Sequence, residues 1–172
     1  MRTALALMAA LLAATLAQAQ APARAPVKEA PAPADLTVDT VAKWTADYID
    51  DSGYGLAYAD PAAAYYVHMD PQEAAATTVR ISLRREMFAP TTGGGGFRYR
   101  SARSVADIDC AMPRMRLLAA DLFQWSNLQG ERSSSEGQQP QWQYPRERTA
   151  GEAVVNFACK MRQLARSQAA AP

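Results

Sequence analysis

The clearest pattern in the chain is an alternation of apolar and polar residues between Thr78 and Phe88. A period of two residues places alternate side chains on opposite faces of a β-strand. The apolar set is Val79, Ile81, Leu83 and Met87, and the polar set is Thr78, Arg80, Ser82, Arg84 and Glu86. A Gly-rich connection at residues 90–96 leads to a second strand at 97–105, so we predict an antiparallel hairpin.

Two shorter strands are predicted before this hairpin. Residues 54–58 and 64–69 are aromatic-rich runs, each followed by an Asp-Pro dipeptide that disfavours helix. Residues 127–140 are polar and rich in Ser, Gln and Gly, which predicts a mobile loop.

The strongest helix is predicted near the C-terminus. Thr149 and Glu152 have the spacing of a capping box, and they precede a stripe containing Val154, Phe157 and Met161. Glu and Thr at these positions satisfy backbone N–H groups that have no partner within the helix. We therefore expect a helix that starts at this cap and buries its apolar stripe.

Two other segments carry both helical and strand signals. Residues 114–126 have apolar side chains at helical spacing and also in alternation, so both structures stay open. Val41, Trp44 and Tyr48 recur at helical spacing, yet residues 36–38 could open a strand. The pattern alone does not decide between helix and strand in either segment.

The N-terminus has the pattern of an export signal. Arg2 precedes an uncharged apolar run, and small residues at Ala17 and Ala19 predict cleavage before Gln20. Residues 1–19 are therefore the expected signal peptide, residues 20–34 an Ala/Pro-rich disordered tail, and residues 35–168 the folded domain. The apolar run is too short to span a bilayer, so no stable membrane span is expected after cleavage. Because no cysteine lies near the cleavage site, no lipid anchor is expected.

The two cysteines are predicted to form a disulfide. Cys110 follows the strand region, Cys159 lies in the predicted C-terminal helix, and no other cysteine is present. In an exported protein such a pair is normally oxidised. Two thiols and the single, distant His68 do not make a zinc site, which requires four ligands. We therefore expect a bridge between helix and sheet, with no metal and no cofactor.

Charge and side-chain chemistry favour binding over catalysis. The formal net charge is +1, which argues against nucleic acid as a partner. His68 lies in an apolar strand segment, so a structural role is preferred to a catalytic base. The polar face of the hairpin carries four arginines around Glu86, and guanidinium groups suit anionic ligands. The predicted ligand contacts are Arg80, Arg84, Arg98 and Arg100.

The order of several motifs resembles the surface-adhesin protein E family of Gram-negative bacteria. The matching segments are residues 99–101 (YRS), 107–110 (DIDC), 114–118 (RMRLL), Gly130, 142–145 (WQYP), Thr149 and Cys159. This resemblance implies an α+β fold: an antiparallel sheet of about six strands with a C-terminal helix on one face, linked to it by the disulfide. It also implies that residues 114–125 form a strand. The best-known member is a lipid-anchored adhesin for host matrix proteins and plasminogen.

The expected function is that of an exported, non-enzymatic binding protein. Its partner would be a protein or an anionic polymer of the cell envelope or the host surface. The alternative is a periplasmic structural or accessory protein of the envelope that acts as a homodimer or through sheet-edge pairing. The expected location is the periplasm or the cell surface, without a lipid anchor.

Overall fold

Six antiparallel strands and two α-helices make up the part of the chain that the structure describes. The computed structural model describes residues 29–69, 78–136 and 141–169. The elements in chain order are α1 (Val38–Tyr48), β1 (Gly55–Ala59), β2 (Ala63–Met69), β3 (Thr78–Thr92), β4 (Arg98–Asp109), β5 (Arg114–Trp125), β6 (Gln129–Glu136) and α2 (Ala150–Ala169). The strands follow one another in the sheet in the order of the sequence. The expected α+β class and the strand number are therefore confirmed.

The predicted hairpin is the centre of the sheet. β3 and β4 are antiparallel, with Leu83 opposite Ser104 and Ile81 opposite Ala106. Both strands extend beyond the predicted ends, to Thr92 in β3 and to Asp109 in β4. Their register shifts between the pair Glu86–Ser101 and the pair Thr91–Tyr99, so residues 87–90 of β3 lie opposite the single residue Arg100. This bulge bends the hairpin where residues 90 and 100 lie.

The C-terminal helix packs on one face of the sheet. Val154, Val155 and Ala158 of α2 are buried against the alternating apolar residues of the strands, including Ile81 and Ile108. Burial of this apolar surface is the main stabilising contribution at this interface. Cys110, at the end of β4, is bonded to Cys159 of α2 with a Cα–Cα distance of 5.6 Å. The predicted disulfide between helix and sheet is confirmed.

The capping box at the start of α2 forms, but Glu152 accepts from the backbone of Arg148 and not from that of the cap residue Thr149. The hydroxyl of Thr149 accepts a hydrogen bond from the backbone N–H of Glu152 at 3.5 Å. The carboxylate of Glu152 accepts from the backbone N–H of Arg148 at 2.7 Å. Both interactions satisfy donors at the helix start. None of the helices within the described ranges is long and apolar enough to cross a membrane.

A second helix covers the opposite face of the sheet. Ala64 and Tyr66 alternate with Tyr65 and Val67 along β2, and they contact the α1 cluster, whereas Val67 contacts the α2 cluster. The indole of Trp44 meets the ring of Phe88 edge-on, with 5.1 Å between centroids. The helical reading of the segment around Trp44 is thus the correct one, and both faces of the sheet are partly covered.

The folded region starts before Asp35, the residue at which the domain was expected to begin. Ala30 is buried beside α1, and the indole N–H of Trp44 donates to the carbonyl of Pro31 at 2.6 Å. Residues 29–34 therefore include contacts with the domain, although the composition predicted a disordered tail over 20–34. The signal peptide at 1–19 and the rest of that tail lie outside the described residues.

The region after β4 consists of two strands joined by turns, up to Glu136. Residues 114–125 form β5, as the family resemblance implied. The predicted mobile loop at 127–140 is wrong for its first part, because residues 129–136 form β6 and pair with β5. Asn127 and Leu128 make the tight connection with positive φ angles of 63° and 57°. A polar edge strand needs no apolar face, which is why its composition resembled a loop.

Candidate binding site

The four predicted contact arginines do not share one solvent face. Arg80 and Arg98 are exposed, whereas Arg84 and Arg100 are only 4% and 7% exposed. Helix α1 and the segment that contains Ala30 cover part of the polar face of the hairpin. The predicted common surface is therefore corrected to two exposed and two buried arginines. Their role as ligand contacts stays a prediction.

Arg84 belongs to a buried polar network. Its Nε and Nη2 both lie 2.7 Å from Oε1 of Glu86, and its Nη2 also donates to Oδ1 of Asn127 at 2.8 Å. The backbone N–H of Asn127 donates to both carboxylate oxygens of Glu86 at 3.2 Å. Burial raises the pKa of Glu86, and the charge of Arg84 lowers it again only in part. We call Arg84, Glu86 and Asn127 the Glu86 network.

The Glu86 network joins distant parts of the chain. The side-chain amide of Asn127 donates to the carbonyl of Tyr48 at 2.8 Å, and its Oδ1 accepts from the backbone N–H of Asp50 at 2.8 Å. Arg84 also donates to the carbonyl of Asp50. The network therefore attaches the turn between β5 and β6 to the end of α1. The guanidinium of Arg84 is therefore buried and hydrogen-bonded within this network.

Arg80 lies in a surface cluster of cations. Asp107 accepts hydrogen bonds from Nε of Arg80 at 2.9 Å and from Nη2 of Arg116 at 2.8 Å. Burial acts to raise the pKa of Asp107, but the hydrogen bonds from both arginines outweigh it and lower the pKa. The ring of Trp142 lies 4.8 Å from the guanidinium of Arg114 and 4.7 Å from that of Arg116. These contacts fix the guanidinium groups at the surface.

The other buried arginine lies beside a cavity at the β3–β4 bulge. The cavity has a volume of about 260 Å³ and is lined by Glu29, Pro90, Arg98, Tyr99, Arg100, Gln124 and Trp125. Arg100 donates from Nη1 to the carbonyl of Ala30 at 3.3 Å and from Nη2 to the carbonyl of Phe88 at 3.2 Å. Its Nε is buried and has no hydrogen-bond partner among the described residues. We call this feature the Arg100 cavity.

The Arg100 cavity has the chemistry of an anion-binding site. Arg98 and Arg100 supply guanidinium N–H donors, while Tyr99 and Trp125 supply aromatic walls. Among the described residues that line the cavity there is no Ser, Thr, Cys, Lys or His. The arrangement is suited to holding a charged group.

The remaining titratable residues that the sequence singled out lie elsewhere. Nδ1 of His68 is 2.6 Å from the carbonyl of Gly53, and its ring lies beside that of Tyr54. Asp107 is engaged by Arg80 and Arg116, and Asp109 accepts from Arg114 and from the backbone after Cys110. Both carboxylates are therefore engaged in hydrogen bonds within the domain.

Two tryptophans near the arginines were not identified from the sequence. Trp125 lines the Arg100 cavity, and Trp142 contacts the guanidinium groups of Arg114 and Arg116. Reading residues 114–125 as the strand after β4 places Trp125 near Tyr99, and that register is the signal that could have found it. No comparable local signal places Trp142 beside β5, because it lies on a separate segment.

The chain is similar to one protein family and to several solved structures. The family model of surface-adhesin protein E matches residues 55–160. The protein in crystal form II of Haemophilus influenzae protein E is 18% identical in sequence to this chain. The two structures have a TM-score of 0.50, and the match covers 65% of this chain and 91% of that chain. Protein E from non-typeable Haemophilus influenzae is 18% identical, with a TM-score of 0.45 over 80% of this chain and 86% of that chain.

Identity this low carries information about the fold alone, whereas the family match spans more than half of the chain. No curated protein matches the sequence. The matched range includes all six strands, both cysteines and the first half of α2. The chain therefore belongs to the surface-adhesin protein E family.

Proposed function

We propose that this protein is an exported, non-enzymatic, adhesin-like protein that binds a component of the host surface or of the cell envelope. The observation that carries this proposal is the family match over residues 55–160. The exposed guanidinium groups and the Arg100 cavity support it, because they provide donors for anionic groups. Cleavage before Gln20 and a location in the periplasm or at the cell surface, without a lipid anchor, are parts of the same proposal.

The proposed contact is electrostatic and uses the two exposed members of the predicted set. Arg80 has 56% of its side chain exposed while its Nε and Nη2 both donate to Asp107, so its positive charge is held at the surface. Arg98 is exposed at the Arg100 cavity. A protein or polymer that carries carboxylate or sulfate groups is the partner that this surface favours.

Replacing both exposed arginines is expected to weaken binding to an anionic polymer. For the double variant R80S/R98S we expect about tenfold weaker binding to immobilised heparin, because each exposed cation contributes on the order of 0.7 kcal/mol. The wild-type affinity should fall as the NaCl concentration rises, because exposed charges are screened. Surface plasmon resonance of the disulfide-intact protein at several salt concentrations measures both effects.

The matched control is R132S/R166S, which removes the same charge from two exposed positions on β6 and α2. It should retain most of the wild-type affinity. Equal losses in both double variants would mean that net charge, and not the proposed surface, governs binding. Salt-independent binding of the wild-type protein would contradict an electrostatic contact.

A second candidate function is that of a structural or accessory protein that acts through pairing of sheet edges. The observation that favours it is β6, an edge strand of eight residues that pairs with β5 on one side within the described part of the chain. An edge strand presents unpaired backbone donors and acceptors, and the serines at 133–135 carry no charge that would prevent pairing.

If β6 mediates self-association, the molar mass measured by light scattering is expected to rise with protein concentration up to that of a dimer. Ser135→Lys should shift this transition to higher concentration, because a charge on an edge strand opposes pairing. Gln163→Lys on the exposed side of α2 adds the same charge away from the edge and should leave the transition unchanged. A constant monomer mass at high concentration would exclude this candidate.

A further inference from the structure

We propose that the Arg100 cavity is a carboxylate-binding pocket, which takes a single carboxylate-bearing residue of a larger ligand. This inference rests on the proposed binding function and deepens it by naming the group that is recognised. The pocket lies at the β3–β4 bulge, where residues 87–90 oppose only Arg100. Bulges redirect side chains and open space in an otherwise regular ladder.

The hydrogen bonds of Arg100 leave donors for a ligand. A guanidinium group has five N–H donors. In Arg100, Nη1 donates to the carbonyl of Ala30 and Nη2 donates to the carbonyl of Phe88, while the buried Nε has no partner among the described residues. In any guanidinium group the Nε–H and the adjacent Nη–H are parallel and match the spacing of the two oxygens of one carboxylate. We infer that the ligand uses this side of Arg100, where Nε has no partner among the described residues.

The charges that line the pocket match one negative charge. Arg98 and Arg100 contribute two positive charges and Glu29 contributes one negative charge, which leaves a net charge of +1. Glu86, whose carboxylate interacts electrostatically with Arg100, is already paired with Arg84. A carboxylate neutralises the pocket, whereas a phosphate monoester with nearly two negative charges overcompensates it. The charge balance therefore favours a monoanion.

The dimensions and the walls of the pocket define the size of the group. A volume of about 260 Å³ accommodates one residue-sized group and not an extended polymer. Tyr99, Trp125 and Pro90 provide apolar and aromatic surface around the two arginines. Such walls suit the methylene groups of a glutamate side chain or the ring of a uronic acid. Both sources present the same carboxylate.

The test uses small probes of the two sources and the full disulfide-intact protein. The probes are N-acetyl-glutamate α-amide and methyl β-glucuronide, with N-acetyl-glutamine amide, methyl sulfate and methyl phosphate for comparison. The readout is the Nε–Hε resonance of Arg100 in ¹H–¹⁵N NMR spectra of protein labelled with ¹⁵N-arginine. We expect this resonance to shift with a carboxylate probe and to remain in place with the neutral amide. The probe that binds more tightly identifies the source.

Substitutions give the expected changes in affinity. Arg100→Lys keeps the charge but removes the guanidinium fork, so we expect about tenfold weaker binding of the carboxylate probe. The matched control is Arg103→Lys on the same strand, where Arg103 forms an ion pair with Asp121, and this variant should bind the probe as the wild-type protein does. Glu29→Gln removes a negative charge from an exposed lining residue, and it should strengthen binding about threefold. Because Glu29 is exposed, we expect this last variant to fold as the wild-type protein does.

Three results would overturn the inference. The Arg100 resonance could be unaffected by both carboxylate probes, the neutral amide could bind equally well, or methyl sulfate or methyl phosphate could bind more tightly. These outcomes are independent of the heparin assay. A protein that binds the carboxylate probe but no polymer contradicts the proposed adhesin-like function alone, and the reverse result contradicts only the pocket.

Discussion

Replacing Cys110 and Cys159 with alanine is expected to lower the free energy of unfolding by about 4 kcal/mol. The bridge spans 49 residues and connects the end of β4 to α2. Without it, the unfolded chain gains the conformational entropy that loop closure removes, and a loop of this length gives about 4 kcal/mol in the chain-entropy model. Urea unfolding followed by circular dichroism measures the change.

The control for this prediction is chemical. Reduction of the wild-type protein under denaturing conditions, followed by alkylation of both thiols, should give a similar decrease. Reductant added to the double variant should have no effect, because no disulfide remains among its residues. A decrease of less than about 1 kcal/mol would show that the contacts of α2 with the sheet, and not the covalent link, determine stability.

Replacing Arg84 with methionine is expected to lower the free energy of unfolding by about 3 to 5 kcal/mol at pH 7. The substitution leaves the carboxylate of Glu86, which is 0% exposed, without its cationic partner. It also removes the donors to Asp50 and Asn127 that attach the β5–β6 turn to the end of α1. Thermal and urea unfolding measure the loss.

The pH dependence of this variant distinguishes a charge effect from a packing effect. Burial already raises the pKa of Glu86 above its ordinary value of 4.5. A carboxyl with a raised pKa contributes stability below its unfolded pKa, and this stability is lost as the pH rises through the folded pKa. Without Arg84 the folded pKa rises further, so the deficit relative to the wild-type protein should shrink from pH 7 towards pH 4.

The matched control is Arg103→Met. Arg103 lies directly opposite Arg84 in the β3–β4 register, but its ion pair with Asp121 is solvent-exposed, with 44% of the Arg103 side chain accessible. Exposed pairs contribute little, so we expect a loss below about 1 kcal/mol. The double variant R84M/E86L should recover much of the stability, because it removes both buried charges. A deficit of R84M that is constant with pH would contradict the charge-based explanation.

Local patterns predicted the elements whose apolar residues are buried between the sheet and α2. The alternation around Ile81 and the stripe around Val154 each follow the period of their own element, and both segments pack in one cluster. The edge strand β6 was missed because it has no such apolar period. Its side chains are polar, and its strand geometry comes from pairing with β5, which a single-sequence pattern does not record.

The candidate site was also predicted only in part from local patterns. Alternation correctly separates Arg84 from Ile81 on the two faces of β3, but it does not reveal which elements cover each face. Arg84 is buried because the turn at Asn127 and the end of α1 meet above it. Arg100 is buried beneath the segment that contains Ala30, which lies 70 residues away in the chain and accepts a hydrogen bond from its guanidinium group. Coverage by distant segments therefore turned a predicted solvent face into a network and a cavity.

The sequence alone determined the elements with a regular apolar period, the pairing of the only two cysteines and the chemical nature of the arginine-rich hairpin. These properties depend on residue type and on spacing within one segment. The tertiary structure decided which arginines reach the solvent, where β6 completes the sheet, and how the β3–β4 bulge opens a cavity beside Arg100. The physical reason is that burial arises from contacts between segments far apart in the chain, and periodicity records only the geometry of each segment.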